Sequence, residues 1–138
     1  MTALDGTLWR LIDSRAWDEN SDRLSAPYGA NPIGHISFAS GRMLAALCNG
    51  DATLGPNRPR EFSCYGGPYT FDGTTLETRV DVASDLGRIG SVQLRTVLMI
   101  GSEMVLRPPS REYSAGRQRR ELIWERVWIS QRASGVEG

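Results

Sequence analysis

The sequence predicts an all-β domain, an eight-stranded antiparallel up-and-down barrel, and three observations carry that expectation. Short runs rich in Val, Ile, Leu, Thr and aromatic residues alternate with Gly, Asp, Asn, Ser and Pro along the whole chain, the pattern of strands joined by turns. Fifteen glycines and seven prolines in 138 residues make long helices hard to sustain. The links between the runs alternate strictly between short and long.

Each element follows from its composition. The first strand runs from about Thr7 to Trp17, preceded by a few residues suited to a short helix or a 3₁₀ turn. The second (Gly34 to Ala39) and third (Arg42 to Cys48) meet at Ser40-Gly41. The fourth (Glu61 to Phe71) and fifth (Thr75 to Ala83) meet at Asp72-Gly73. That dipeptide is the strongest hairpin signal in the chain, because a type I′ turn needs two residues at positive φ. The sixth (Ser91 to Ile100) and seventh (Glu103 to Arg107) meet at Gly101-Ser102, suited to a type II′ turn. The eighth spans Arg120 to Ile129. Gly66-Gly67-Pro68 predicts a bulge or bend within the fourth strand.

The remaining links are long: Asp18 to Ile33, Asn49 to Arg60, Ser84 to Gly90 and Pro108 to Arg119. In a meander, successive links fall at opposite ends of the sheet. The tight turns then seal one end and the long loops frame an open mouth, the shape of a closed barrel. An open sheet would leave two unpaired edges. The last strand, Leu122-Ile123-Trp124-Glu125-Arg126-Val127-Trp128, is too apolar for a free edge and reads as pairing with the first.

Bulk properties narrow the function. The length suits one domain over residues 1–138, with its core at about 6–129 and a flexible tail at 130–138. Sixteen basic and sixteen acidic side chains cancel, without the basic excess that drives nucleic-acid binding. Arg117, Arg119 and Arg120 are followed at once by Glu121 and Glu125, which reads as a solvated, mixed-sign surface. No apolar run approaches the length of a membrane span, and residues 1–6 lack a basic start and an apolar stretch. A cytoplasmic location is therefore expected. Cys48 and Cys64 read as two reduced, partly buried thiols. A single histidine, His35, excludes His-rich metal cages and triads that need a second imidazole. No metal and no cofactor is expected. The expected partner is a small molecule, with neither nucleic acid nor membrane, and a homodimer is compatible with the chain.

Several segments carry a family resemblance. Gly6-Thr7-Leu8-Trp9-Arg10-Leu11 resembles the glycine–tryptophan opening of lipocalins and other calycins, with one extra residue between Gly and Trp. Trp124-Glu125-Arg126-Val127 resembles the last strand of bacterial and fungal lipocalin-like domain proteins. Gly34-His35-Ile36-Ser37-Phe38 with Gly41-Arg42-Met43, the stretch Tyr65 to Gly73, and Gly90 with Gln93 and Arg95 resemble internal strands of that family. The likeness spans roughly residues 4 to 129. It implies a lipocalin-like barrel with a ligand-holding cavity and leaves the activity open. The family often carries histidines in its fifth strand, where this chain has Glu77-Thr78-Arg79-Val80. The resemblance also implies that Trp9 lies on the barrel floor with Arg126 packed across it, a cation–π contact of about 0.5–2 kcal/mol.

Side chains alternate across a strand, so placing Trp9 inside also places Leu11, Asp13, Arg15 and Trp17 inside. Arg126 inside brings Trp124 and Leu122 with it. Mouth-proximal positions hold His35, Asp81, Gln93 and Arg95. An arginine inside a barrel needs a carboxylate from the protein or an anionic ligand, and Asp13 is the nearest protein candidate. Phe62, Tyr65, Tyr69 and Phe71 serve as core or as a stacking wall. Ser14, Ser37 and Ser63 lack a nucleophile elbow. The ligand-binding candidates are Arg15, His35, Phe38, Tyr69, Arg79, Gln93, Arg95 and Trp124, and the catalytic ones are His35, Asp81 and Arg95. The leading reading is a binding protein for an apolar or amphipathic metabolite with a polar or anionic end. The alternatives are a cofactor-free isomerase, cyclase or lyase in the same cavity, and an interaction module with a filled barrel.

Overall fold

The computed structural model describes residues 3–114 and 116–131. Among them lie eleven strands: β1 Thr7–Asp18, β2 Arg23–Leu24, β3 Pro32–Ala39, β4 Arg42–Asn49, β5 Phe62–Phe71, β6 Thr75–Arg79, β7 Val82–Ala83, β8 Val92–Ile100, β9 Glu103–Arg107, β10 Arg111–Tyr113 and β11 Gly116–Ile129. The only helical turn among the described residues is a 3₁₀ segment, Leu86–Arg88; the residues before β1 form a turn.

Eight strands form the ring β1-β3-β4-β5-β6-β8-β9-β11, antiparallel at every step. It closes where β11 returns to β1, from Thr7 opposite Ile129 to Asp18 opposite Gln118. The apolar last strand thus has a partner on both sides, and no member of the ring is an open edge. The expected eight-stranded barrel is correct. β2, β7 and β10 are short additions at the mouth and flank, pairing with β1, β5 and β11. Within the expected tail, the Ser130 N–H donates to the Gly6 carbonyl at 2.8 Å; residues 132–138 lie outside the described residues.

The three tight turns fall at one end, as the alternation of links requires. Their chemistry differs from expectation in one respect. Ser40 (φ 53°) and Gly41 (φ 75°) are the pair at positive φ, whereas at Asp72-Gly73 only the glycine is. Asp72 instead accepts the Thr74 and Thr75 N–H groups at 2.9 and 2.7 Å, closing a longer loop through its side chain. At Ser40-Gly41 the left-handed backbone is held by the Asp5 carboxylate, which accepts both N–H groups at 3.0 and 2.9 Å. The Tyr69 hydroxyl donates to the same carboxylate at 2.9 Å, and its ring meets Phe38 edge-on at 5.1 Å. Trp9 is buried there and its indole N–H donates to Thr7 at 2.8 Å. Arg126 stands opposite Trp9 in register but is exposed, and the cation–π contacts among the described residues lie elsewhere. The floor is closed by Asp5, Phe38 and Tyr69 rather than by an arginine stack.

Two of the irregularities in the strands reset the inward-facing pattern. The ladder between β1 and β11 slips at Ile12, so the residues beyond it change face. Trp9 and Leu11 point inward as expected, but Ser14 and Ala16 follow, while Arg15 and Trp17 turn outward. The second irregularity is the Gly66-Gly67 bend. Gly67 has φ 154°, and a Cβ there would lie 1.9 Å from the Arg79 carbonyl oxygen. The close approach splits the expected fifth strand into β6 and β7, which pair with β5 on either side of the bend.

The lower barrel is packed solid by Trp9, Leu11, Ile36, Phe38, Met43, Leu76, Val97 and Met104. Each such side chain contributes about 1.5–3 kcal/mol when fully buried. This apolar fill stops below the mouth.

Candidate ligand-binding cavity

Above the packed core the barrel holds a cavity of about 420 Å³, within the usual size range of small-molecule sites. Trp124 lines its lower part, with Leu106 and Leu122 one step nearer the mouth on β9 and β11 and Leu47 across the barrel on β4. Alternation along β11 (Leu122, Trp124) and β9 (Met104, Leu106) sends these apolar residues inward. Tyr28, Tyr65 and Tyr113 supply the aromatic upper wall. Tyr28 comes from the long link between β2 and β3, held against the barrel by its own N–H donating to the buried Ser14 hydroxyl at 3.0 Å.

Four arginines, Arg88, Arg95, Arg111 and Arg120, line the same space. Arg88 ends the 3₁₀ turn and lies over the Tyr65 ring at 4.3 Å. It donates to the Ser63 hydroxyl at 3.1 Å and to the Gln93 side-chain carbonyl. Arg111 and Arg120 both lie over the Tyr113 ring, at 4.8 and 3.7 Å. Arg95 projects inward from β8 and donates to its own neighbour's carbonyl, Leu94, at 2.8 Å. Burial pulls the Arg95 guanidinium below its usual range, and the positive charges of Arg88 and Arg111 act in the same direction. Among the described residues none of the four makes an ion pair. The lining contains one carboxylate, Asp85, which is exposed and caps the 3₁₀ turn through the Gly87 N–H at 2.9 Å. A second opening of about 440 Å³ lies between β8 and residues 108–113 and shares Arg88, Gln93, Arg95, Arg111 and Tyr113 with the first.

Among the described residues two donors are buried without acceptors, the Trp124 indole N–H and the Gln93 amide nitrogen. Each unmet group costs about 1–3 kcal/mol. Burial pushes the Tyr28 hydroxyl up from its usual range, partly offset by Ser63, Arg120 and Arg88. The lining is thus rich in donors and positive charge and poor in acceptors, and it suits a molecule with acceptors and negative charge. No group of three or more His, Cys, Asp or Glu that could hold a metal occurs among the described residues.

Of the ligand-binding and catalytic candidates named from the sequence, Gln93, Arg95 and Trp124 line this cavity, as do Phe62 and Tyr65 of the expected aromatic wall. The remaining candidates do not. His35 is exposed on the outer face because Gly34, Ile36 and Phe38 take the inward positions of β3. Arg79 is outward for the same reason, Thr78 and Val80 being the buried neighbours. Asp81 follows the Gly67 bend, is exposed, and pairs with Arg42 at 2.6 Å. Arg15, turned outward by the Ile12 bulge, pairs with Asp13 at 2.9 Å and Glu121 at 3.4 Å. Its carboxylate is therefore Asp13, as expected, but on the outer wall. Phe38 and Tyr69 are inward but belong to the floor. Sequence reasoning missed Tyr28, Arg88, Arg111, Tyr113 and Arg120. Only Arg120 had a usable signal, since it shares the inward phase of Leu122 and Trp124; the others sit in long links or the short β10, where no periodicity fixes a direction.

A closed antiparallel barrel of eight strands, solid at one end and hollow at the other, defines a ligand-holding class of fold. The lipocalin-like domain profile matches residues 6–127, so the chain belongs to the lipocalin-like domain family. Comparison with curated proteins and with solved structures returned no match.

Proposed function

We propose that this protein binds a small amphipathic molecule with an anionic end inside the barrel. The observation that carries this reading is Arg95, a half-buried guanidinium in the cavity that makes no ion pair among the described residues. A charge partly withdrawn from water without a partner is destabilising, and an anion from outside would satisfy it in the bidentate geometry that guanidinium favours. The apolar body of the ligand would lie against Leu47, Leu106, Leu122 and Trp124.

The test is a fluorescence titration with anilinonaphthalene sulfonate and with neutral N-phenylnaphthylamine. The expected result is saturable one-to-one binding of the sulfonate that Arg95→Met weakens far more than it weakens the neutral probe. Absence of binding by either probe, or a sulfonate affinity indifferent to Arg95→Met, would overturn the reading. Native mass spectrometry of freshly purified protein then looks for a co-purified molecule.

Tyr28 favours a second reading, a cofactor-free isomerase, cyclase or lyase. Burial pushes its hydroxyl up from the usual range, and it shares the cavity lining with Arg88 and Arg120, a proton donor in the same space as an oxyanion stabiliser. The test is incubation of the co-purified molecule with fresh protein and with Tyr28→Phe. Conversion by the first and not the second supports catalysis; recovery of an unchanged molecule from both overturns it.

A further inference from the structure

The anion's valence follows from the arginine cluster. We infer that the head group of the ligand carries two negative charges, as a phosphomonoester or a paired dicarboxylate does, and that Arg88, Arg95, Arg111 and Arg120 hold it together. This rests on the cavity being the binding site, and it goes further by fixing the ligand's charge.

A single carboxylate would satisfy Arg95 alone. It would leave three more guanidinium groups in the same lining with only Asp85 as counter-charge, and that carboxylate is already engaged by the Gly87 N–H. Like charges gathered at a partly desolvated site repel, and a chain with sixteen acidic side chains has had ample means to pair them. Five arginines outside the cavity are paired in this way: Arg10, Arg15, Arg42, Arg58 and Arg107 each have a carboxylate within 4 Å. All sixteen basic residues are arginine, so none of these charges can be relieved by deprotonation near neutral pH.

The stacking geometry points the same way. Arg88 lies over the Tyr65 ring, and Arg111 and Arg120 over that of Tyr113. A ring neutralises none of the charge and accepts none of the five in-plane N–H donors of a guanidinium at full strength, so they stay free for other acceptors. Arg88 spends two of them on Ser63 and Gln93, and Arg120 one on Gln118 at 3.2 Å. The remaining donors outnumber what one carboxylate accepts. The three terminal oxygens of a phosphate, or two neighbouring carboxylates, take up more of them.

The experiment compares 2-naphthoate, naphthalene-2,3-dicarboxylate and 2-naphthyl phosphate by calorimetric titration. The dianions are expected to bind at least about tenfold more tightly than the naphthoate, a difference of about 1.4 kcal/mol. The phosphate's affinity is expected to fall between about pH 7.5 and about pH 5, across its second ionisation near pH 6, while that of the naphthoate stays nearly level. Arg88→Met and Arg111→Met should each erase the preference for the dianions yet leave naphthoate binding. Should those variants fold poorly, the pH profile of the unaltered protein decides alone. The ratio of dicarboxylate to phosphate affinity identifies the head group. Equal affinity for all three anions overturns the inference and leaves the binding reading intact. Failure of all three to bind overturns both.

Discussion

Arg10, Arg15 and Arg107 on the outer wall and the four arginines of the cavity live by opposite rules. On the outer wall Arg10 meets Glu125 at 2.5 Å, and Glu121 stands between Arg15 and Arg107 at 3.4 and 2.9 Å. Glu121 is 8% exposed, covered by the two guanidinium groups that neutralise it. In the cavity, Arg88, Arg95, Arg111 and Arg120 have aromatic faces and neutral acceptors but no carboxylate. The same β11 strand serves both groups: its outward phase carries Glu121 and Glu125, its inward phase Arg120, Leu122 and Trp124. Pairing fixes the wall, and the lack of pairing leaves the cavity ready to receive charge. A side chain that the fold leaves unmet marks a site better than its residue type does.

The largest expected effect that would break this contrast is at Arg95. Arg95→Met should weaken binding of 2-naphthyl phosphate by about 2–3 kcal/mol while the melting temperature of the empty protein holds or rises, because an unpaired buried charge has gone. A fall in melting temperature, measured by calorimetry, would mean that Arg95 is structural after all. Next in size is Glu121→Gln on the wall. It leaves Arg15 and Arg107 facing each other and should cost about 1–2 kcal/mol in urea unfolding, with phosphate binding unchanged.

A smaller effect concerns the floor. The Gly41 N–H holds the Asp5 carboxyl below its ordinary 3.8, helped by Tyr69 and the Ser40 N–H. A depressed carboxyl contributes stability that is full above its unfolded pKa and lost as pH falls through its folded pKa. Asp5→Asn should therefore lower stability at neutral pH and flatten its decline in acid below about pH 4, followed by circular dichroism. Burial, and then Asp5 itself, push the Tyr69 hydroxyl above its usual range, so this latch stays intact on the alkaline side until well past neutrality. The smallest effect belongs to Arg10→Met: the Arg10–Glu125 pair is about half exposed on both sides and should be worth no more than about 0.5 kcal/mol, shrinking further in high salt.

The barrel was legible before the structure because its evidence is local. Turn residues at Ser40-Gly41, Asp72-Gly73 and Gly101-Ser102, and the apolar period of two between them, need no knowledge of distant residues. The wall of the cavity was legible in part for the same reason, since the phase that puts Trp124 inside also delivers Leu122. Gln93 and Arg95 were found through the resemblance of their strand. The misplacements have one cause. His35 and Asp81 are mouth-proximal by height along the barrel, but the face they take is set by their neighbours' phase or by the Gly67 bend, and Arg79 faces outward because Thr78 and Val80 take the inward positions. At Arg15 the phase itself failed, since a one-residue bulge at Ile12 reverses every side chain beyond it.

What the sequence determined by itself is the fold class, the strand order and which end of the barrel is sealed, because hydrophobic period and turn chemistry are encoded within a few residues. What only the tertiary structure decided is where the charges go. Arg88, Arg111 and Tyr28 lie in segments remote from one another along the chain and acquire a common surroundings only when the ring closes and its long links fold over the mouth. Whether an arginine finds a carboxylate depends on that closure, and in this protein none of the four that face the cavity does.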